Sequence, residues 1–409
     1  MSAHLIIVGG GQAAGQVIQT LTQKSFAGRI TLVGDEPHPP YQRPPLSKRY
    51  LAGELEQARL YLRPRAFYAQ KGVTLELGRR VTAIDRDRRR IVLDDGRELG
   101  YDALLLATGS RVRKLAVPGA DLPGIHYLRT IADADGIGAL MAPGKRLVVV
   151  GAGYIGLEVA AVARSRGLDV TVLEAADRVM ARVVCAEVAQ FYAGAHEAQG
   201  VHLVCGVGVR EFVGDEGASA VITADGRSHA CDFVVAGVGI LPETRLAESA
   251  GLACDDGICV DEHARTSAAD IYAAGDCTNH PYALVGRRIR LESVQNAVEQ
   301  AKTAAATIAG ENASYTQVPW FWSDQYDLKL QIAGLSQGYD RVVLRGDPAE
   351  RRFAAYYLSE ARLVAVDAVN SPKDFLLGKC LLAARATPDL GLLEDPSIDV
   401  DALGAASVR

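Results

Sequence analysis

"HLIIVGGGQAAGQVIQTL", residues 4–21, is an apolar segment, a glycine-rich turn and a helical pattern in direct succession. Gly9, Gly11 and Ala14 occupy the three positions of a G-x-G-x-x-G/A fingerprint. The first allows a tight turn, the second lets the backbone approach a pyrophosphate, and the small third residue lets the helix pack on the strand. A strand-like segment follows and ends at Asp35, 20 residues after Gly15. At this spacing in the sequence, a carboxylate can bind a ribose hydroxyl of the nucleotide. These residues predict a dinucleotide-binding βαβ unit.

The same pattern recurs in "KRLVVVGAGYIGLEVAAVARSRG", residues 145–167. Gly151, Gly153 and Gly156 fill the three small-residue positions, and the next strand-like segment ends at Glu174. One such fingerprint is weak evidence. Two, each with its strands and its acidic residue in place, are strong evidence for two dinucleotide sites.

A second repeat indicates how the two units are connected. "YDALLLATG" (101–109) and "CDFVVAGVG" (231–239) are each a strand-like segment that leads to a glycine turn, at Gly109 and Gly239. The simplest architecture is an α/β fold with two Rossmann-like domains, the second inserted into the first. The expected first domain comprises residues 1–112 and 240–314, and the inserted domain comprises residues 113–239.

The last part of the chain has a different pattern. Several short runs within residues 328–369 alternate in the manner of strands, which is typical of an antiparallel sheet of three to five strands. A short helical segment follows at residues 373–386. The sequence therefore predicts a third, α+β domain over residues 315–409.

Composition narrows the classes of function. The chain has 409 residues, 23% of them charged, and a net charge of −5, so no basic footprint predicts binding to nucleic acid or to a membrane surface. The N-terminus carries no secretory signal pattern, and no apolar run approaches the length of a membrane-spanning helix. Seven scattered cysteines favour no disulfide framework, and no histidine or cysteine pattern predicts a metal site. We expect a cytoplasmic protein without a bound metal.

"PPYQRPPLSKRYL", residues 39–51, places four prolines around Lys48. Proline fixes the backbone and lowers the freedom of the unfolded chain. The residues alone allow two interpretations: a rigid surface turn, or a loop that holds a cation in one place for chemistry.

The following residues and motifs occur in this order along the chain: Ala14, Asp35, "PPYQRPPLSK", "LLLATGS", "GAGYIGLE", "VTVLEAADRVMARV", "IYAAGDCT" and "PWFWSDQYD". Together they resemble the motifs of the FAD-dependent NADH:ferredoxin reductases of bacterial oxygenase systems, which share the glutathione-reductase fold. The resemblance covers nearly the whole chain. Glu243, where related flavoproteins often carry Asn, is a departure of little consequence. The resemblance implies that the first domain binds FAD non-covalently, that the inserted domain binds NAD, with NADH as donor, and that the acceptor is a [2Fe–2S] ferredoxin.

The resemblance also implies roles for individual residues. Lys48 would lie beside the flavin N5, Glu158 would lie near the nicotinamide and pair with Lys48, and Trp322 would cover the flavin and line the electron exit. Asp276 would bind the ribityl chain, and a helix that begins near Ser293 would direct partial positive charge at the flavin. The fingerprints and the resemblance together predict these cofactor-binding residues: Gly9, Gly11, Ala14, Asp35, Arg43, Lys48, Val81, Thr108, Gly109, Arg129, Gly151, Gly153, Tyr154, Ile155, Gly156, Glu158, Glu174, Gly239, Asp276, Val294 and Trp322.

Glu174 also predicts the choice of donor. A carboxylate at the end of this strand binds the ribose of NADH and repels the 2′-phosphate of NADPH, although the nearby Arg178 would weaken the preference. The candidate basic contacts for an acidic ferredoxin are Arg63, Arg65, Lys373 and Lys379. We expect a monomer or a weak dimer.

Two alternatives share the fold. A monodehydroascorbate reductase keeps a similar proline loop, and so does a redox-sensing, non-enzymatic flavoprotein of the apoptosis-inducing-factor type, which binds DNA. A disulfide reductase, or an NADH peroxidase or oxidase of this fold, needs cysteine at the flavin, and the first hundred residues contain none.

Overall fold

The computed structural model describes residues 3–395, 398–400 and 402–403, so the extreme end of the expected third domain lies outside the described residues. The described chain divides into two compact units. Unit 1 comprises the residues up to Arg43, Glu56–Arg111 and Ile240–Gln317, and unit 2 comprises Pro44–Leu55, Val112–Gly239 and the described residues from Val318 onward. The expected domain boundaries, after residues 112, 239 and 314, stay predictions.

Unit 1 is built on a five-stranded parallel sheet. The strand order is β19 (Ile271–Ala273), β7 (Ala103–Leu106), β1 (His4–Val8), β2 (Arg29–Gly34) and β3 (Val73–Leu77). All five residues of β1 are buried, as expected for an inner strand of a parallel sheet that is covered on both faces.

Two helices pack together on this sheet, α1 (Gln12–Gln23) and α7 (Val294–Ile308). Their contact surface is rich in small side chains, including Ala13 and Ala14 of α1 and Ala301 and Ala305 of α7, which allow a close approach. Ser293 caps α7, and its hydroxyl accepts a hydrogen bond from the Asn296 N–H, so the helix begins where the sequence predicts.

The other elements of unit 1 are short. The helices are α2 (Arg65–Gln70) and α6 (Arg245–Ser249). One antiparallel sheet contains β4 (Val81–Asp85), β5 (Arg90–Leu93) and β6 (Glu98–Gly100), another sheet contains β18 (Ile258–Cys259), β20 (Thr278–Tyr282) and β21 (Arg287–Ile289), and β8 (Ser110–Val112) pairs with β17 (Ile240–Pro242).

Unit 2 contains a second parallel sheet of the same kind. Its strand order is β12 (His202–Val204), β11 (Asp169–Leu173), β10 (Arg146–Val150), β16 (Phe233–Ala236) and β9 (Ile125–His126). The accompanying elements are α3 (Ile131–Leu140), α4 (Tyr154–Ser165), α5 (Ala186–Ala198) and an antiparallel sheet of β13 (Val209–Val213), β14 (Ala220–Thr223) and β15 (Ser228–Ala230).

The C-terminal part of unit 2 is an antiparallel sheet of five strands followed by two helices. The sheet order is β22 (Trp320–Gln325), β23 (Leu328–Gly334), β26 (Arg362–Val369), β25 (Arg352–Ser359) and β24 (Arg341–Asp347), and the helices are α8 (Pro372–Ala384) and α9 (Leu390–Glu394). The predicted fold class, two Rossmann-like domains followed by an α+β domain, is confirmed. Within the residues described, no helix is long and apolar enough to cross a membrane.

Candidate nucleotide and redox sites

The first fingerprint forms a tight turn between β1 and α1. Gly9 has a φ of +110°, and a Cβ on it would lie 2.2 Å from the carbonyl oxygen of Ala107. Gly11 is the N-cap of α1 and supplies no capping side chain, and a Cβ there would meet no described heavy atom within 4 Å. The N-terminus of α1 is therefore open to an approaching phosphate, which its N–H groups and helix dipole would bind.

Small residues after this turn let α1 pack closely. Ala14 is fully buried, and a Cβ on Gly15 would lie 2.7 Å from Leu62 and 3.0 Å from Pro40. Pro40 also accepts a backbone hydrogen bond from Leu62, which ties the first part of the proline loop down. Asp35 follows β2, is exposed, and lies 3.2 Å from a guanidinium nitrogen of Arg80.

An ion pair orders the start of the proline loop. The Arg43 guanidinium donates to Glu36 Oε1 at 2.8 Å and to the Tyr41 hydroxyl at 2.8 Å, and that hydroxyl donates to Glu36 Oε2 at 2.7 Å. Arg43 and Glu36 keep 28% and 22% of their side-chain surface exposed, so the guanidinium retains access to a ligand.

The other predicted residues of unit 1 lie at strand and helix ends. The Ser110 hydroxyl donates to Asp276 at 3.0 Å, which orients that carboxylate. The Thr108 hydroxyl donates to the carbonyl of Glu243, and Gly109, with a φ of +65°, accepts from the Glu243 N–H at 2.9 Å. Two other predicted cofactor contacts are the first residues of their elements, Val81 in β4 and Val294 in α7.

The second fingerprint forms the matching turn in unit 2. Gly151 has a φ of +100°, and a Cβ on Gly156 would lie 2.0 Å from the Gly151 carbonyl oxygen. Gly153 is the N-cap of α4, and a Cβ there would meet no described heavy atom within 4 Å. The Glu174 carboxylate accepts from the N–H groups of Ala152 at 2.6 Å and Ala176 at 2.8 Å, so it is held against the turn.

The other predicted cofactor-binding residues of unit 2 lie before and after this turn in the sequence. Tyr154 opens α4 and its ring lies 4.8 Å from that of Phe321, while Ile155 is 42% exposed. Arg129 precedes α3 and its N–H donates to Asp133 at 3.0 Å. Gly239 has a φ of +101° and ends the glycine turn that follows β16.

Lys48 and Glu158 form an ion pair inside unit 2. The Lys48 Nζ lies 2.7 Å from Glu158 Oε2, with side-chain exposures of 14% and 3%. The Ser47 hydroxyl donates to the same oxygen, and the Ser323 hydroxyl donates to Oε1 at 2.6 Å. A short 3₁₀ turn at Pro44–Ser47 positions both loop residues, and Glu158 projects from the second turn of α4.

The environment of Glu158 opposes its charge and also compensates it. Burial raises the pKa of this carboxyl group above its ordinary value, while the Lys48 charge and the hydrogen bonds from Ser323 and Ser47 act in the opposite direction. A buried carboxylate of this kind needs its cation and its donors to remain ionised.

Trp322 lies on β22, on the opposite face of the strand from Ser323. Its ring lies 5.6 Å from that of Trp320 and 6.2 Å from that of Phe321. The Trp322 residue is partly exposed.

The sequence prediction missed the hydroxyl groups that hold Glu158. Ser47 directly precedes Lys48 and could have been suspected from that position. Ser323 is separated from Glu158 by 165 positions, and its only local signal is that Ser323 and Gln325 are two positions apart and so share one face of β22.

The family of the chain follows from comparison with known proteins. Residues 3–301 match the model of the pyridine nucleotide-disulphide oxidoreductases, and residues 320–404 match the model of the reductase C-terminal domain. The chain belongs to the pyridine nucleotide-disulphide oxidoreductase family, whose members of this type use FAD and NAD(P)H.

Within that family the similarity extends over whole chains. Rhodocoxin reductase of Rhodococcus erythropolis is 45% identical over 398 residues, 97% of this chain and 92% of its own. Putidaredoxin reductase of Pseudomonas putida is 42% identical over 410 residues, 99% and 97% of the two chains. The crystal structure of a covalent putidaredoxin reductase–putidaredoxin complex superposes with a TM-score of 0.97 at 42% identity, covering 100% of this chain and 99% of that one.

The residues present fit a dinucleotide at each glycine turn. The space beside Gly11 and Gly153 is open, since a Cβ on either glycine would meet no described heavy atom within 4 Å, and each is the N-cap of a helix without a capping side chain. Among the residues that the structure describes, no group of three or more His, Cys, Asp or Glu side chains could hold a metal ion.

Proposed function

We propose that this protein is an FAD-dependent NADH:ferredoxin reductase that supplies electrons to an oxygenase. The observation that carries the proposal is the buried ion pair between Lys48 of the proline loop and Glu158 of α4, the helix that begins at the second dinucleotide turn. The first cysteine of the chain is Cys185, so the fingerprint helices carry no dithiol for disulfide chemistry. The similarity to ferredoxin reductases over the whole chain supports the same conclusion.

FAD, when bound, accepts hydride from the nicotinamide and passes electrons on singly. The chain supplies the binding and the electrostatics. Gly9, Gly11 and Ala14 accommodate the FAD pyrophosphate, with Asp35, Arg43 and Asp276 as polar contacts. In unit 2, Gly151, Gly153 and Gly156 accommodate the pyrophosphate of NADH.

Lys48 has the central electrostatic role in this proposal. Its ammonium group is held by the proline loop on one side and by Glu158 on the other, so its charge does not have to reorganise during the reaction. A fixed cation stabilises negative charge that develops on a neighbouring ring. Trp322 lies on the electron exit.

The donor in this proposal is NADH. The Glu174 carboxylate is fixed by two backbone N–H groups and is ready to accept from the ribose 2′-OH, while it would repel a 2′-phosphate. Arg178 lies near it but is engaged with Asp177 and the carbonyl of Ala181.

The acceptor is a [2Fe–2S] ferredoxin bound through basic and apolar groups. On α8, Lys373 is 53% exposed, Lys379 lies over the Trp320 ring, and Leu376 between them is 58% exposed. Unit 1 contributes Arg63 and Arg65 as further candidates. An acidic partner would be attracted by these cations, with Leu376 as an apolar contact.

A cytoplasmic location is supported by the seven cysteines, all of which are free thiols. We expect the protein to act as a monomer or a weak dimer.

The cofactor part of the proposal is tested on the purified protein. It should be yellow, should release its flavin on heating because no covalent link is expected, and should lose its yellow colour when NADH is added. A colourless protein that cannot be reconstituted with FAD contradicts the proposal.

A further inference from the structure

A chain of hydrogen bonds runs through the interior of unit 2 and ends at Glu158. The Tyr326 hydroxyl lies 3.2 Å from His196 Nδ1, and His196 Nε2 lies 2.8 Å from Gln325 Oε1. Gln325 Nε2 lies 3.1 Å from Ser323 Oγ, which lies 2.6 Å from Glu158 Oε1. His196, Ser323 and Gln325 are at most 1% exposed. Two further buried side chains, His196 and Gln325, are thus joined through Ser323 to the Glu158 carboxylate.

The direction of every bond in this chain follows from the charge of Glu158. A carboxylate only accepts, so Ser323 donates its one proton to it and must accept from the Gln325 amide nitrogen. The Gln325 oxygen therefore faces His196, whose Nε2 must carry a proton. All donors point toward Glu158, an arrangement in which each bond polarises the next.

The protonation states of the outer members agree with this direction. Burial lowers the pKa of His196, so the ring is neutral near pH 7, its Nδ1 is unprotonated and Tyr326 donates to it. Burial raises the pKa of Tyr326 to about 12, so its hydroxyl keeps its proton.

The backbone at Tyr326 is independent evidence that this residue is held in place. Its φ of +55° lies in the left-handed region, which an aromatic residue adopts only at a cost. The residue forms the turn between β22 and β23, where Asn or Gly would relieve the strain, and its ring lies 5.1 Å from the His196 ring.

We propose that Tyr326, His196, Gln325 and Ser323 are positioning residues that keep Glu158 ionised and hold its carboxylate against Lys48. Only the kinetic consequence of this inference rests on the proposed function, because the hydrogen-bond chain acts on Glu158 whatever the reaction is.

Other groups also face the members of this chain. Glu158 faces Lys48 and Ser47 from the proline loop, and it interacts electrostatically with Tyr154 of α4 and Tyr192 of α5. Tyr326 faces the Arg164 guanidinium of α4. None of the variants below alters these groups.

The direct test measures the protonation of Glu158 in the FAD-loaded protein. The protein is labelled with glutamate carrying ¹³C at the side-chain carboxyl carbon, and the Glu158 signal is identified by its loss in Glu158→Gln. Gln325→Leu removes the donor to Ser323 and should move the Glu158 titration midpoint to higher pH. Tyr326→Phe removes only the last donor and should move it in the same direction by less.

The matched control is Tyr356→Phe, which removes a buried hydroxyl of the same C-terminal sheet that bonds Asp374 instead. It should leave the Glu158 midpoint unchanged. If the proposed function holds, the pH dependence of flavin reduction by NADH should follow the same order of variants. If NADH does not reduce the flavin, that result counts against the proposed function alone, and the NMR result still decides this inference.

An identical Glu158 midpoint in the wild type, Gln325→Leu and Tyr326→Phe would overturn the inference. The same conclusion follows if Glu158 stays ionised over the whole pH range in which all three proteins are folded. If Gln325→Leu does not fold, Tyr326→Phe decides alone. Tyr326 is half-buried, and this substitution keeps its ring.

Discussion

Lys48 and Glu158 form a buried ion pair, and each charge stabilises the other inside the protein. Neither side chain would be stable in its charged form at this depth without the other, because a buried ion costs several kcal/mol unless it is paired. The pair lies 2.7 Å apart, with two hydroxyl groups on the remaining carboxylate positions. Stability and rate depend on this pair for different reasons, so the two effects can be separated.

Lys48→Met should slow flavin reduction by NADH about tenfold or more, since a preorganised charge at the reacting ring is lost. It should also destabilise the protein by about 3 kcal/mol, because Glu158 is left buried without its cation. Adding Glu158→Gln should restore the stability but not the rate. Stopped-flow bleaching and thermal melting measure the two effects.

Arg49→Met is the control for this experiment, because Arg49 is the neighbouring cation of the same loop and its side chain is 65% exposed. It should change neither quantity. An unchanged bleaching rate in Lys48→Met would leave the proline loop as a rigid turn without an electrostatic role.

The proposed role of Glu174 in the choice of donor can be tested by kinetics. Glu174→Ala removes the carboxylate that repels a 2′-phosphate, so the ratio of kcat/KM for NADH to that for NADPH should fall by about tenfold. Glu187→Ala removes an exposed carboxylate of the same unit and should leave the ratio unchanged. Equal use of both donors by the wild type would refute the role of Glu174.

At the scale of the element, strand β26 carries a buried acid that is not among the predicted cofactor-binding residues. Asp367 is fully buried, accepts a hydrogen bond from the Tyr357 hydroxyl of β25, and has one oxygen without a partner among the described residues. Burial raises the pKa of Asp367 to about 7. The Asp367 carboxyl group is therefore protonated in the folded protein at mildly acidic pH.

The stability of the protein should consequently fall as the pH rises. An unfolded aspartate has a pKa of about 3.9. Between about pH 4 and about pH 7 the folded state binds a proton that the unfolded state has lost, so each step up in pH favours unfolding. Asp367→Asn mimics the protonated acid, should remove this decline and should be more stable than the wild type above pH 7.

Thermal melting at pH 5 and pH 8 measures this difference, with the exposed Asp340→Asn as a control that should keep the wild-type decline. If Asp367→Asn declines as steeply as the wild type, Asp367 is ionised throughout and another group causes the pH dependence.

The elements that the sequence predicted best are those with short-range signals. The two glycine turns, the helices that follow them and the N-cap Ser293 depend on spacings of a few residues, and all lie where predicted. The Glu158 network could not be predicted in this way, because His196 on α5 and Gln325 on β22 are 129 positions apart and only tertiary packing brings the helix and the strand together. Sequence alternation indicated three to five C-terminal strands, but their pairing order follows from packing.

At the scale of the whole molecule, the net charge of −5 does not favour an acidic partner, so any attraction must be local. On α8, the exposed Lys373, the partly exposed Lys379 and the exposed apolar Leu376 between them provide such a local surface in unit 2. Because the surface is small and solvated, its attraction should be screened at moderate salt.

NADH-driven reduction of [2Fe–2S] ferredoxins by the FAD-loaded protein, followed through the cluster absorbance, tests the proposed function most directly. The measurement uses a panel of such ferredoxins, with monodehydroascorbate radical as the competing acceptor. We expect at least one ferredoxin to be reduced rapidly, with a rate that falls as ionic strength rises. If every ferredoxin in the panel stays oxidised while the radical is reduced rapidly, the protein is a monodehydroascorbate reductase and not a ferredoxin reductase.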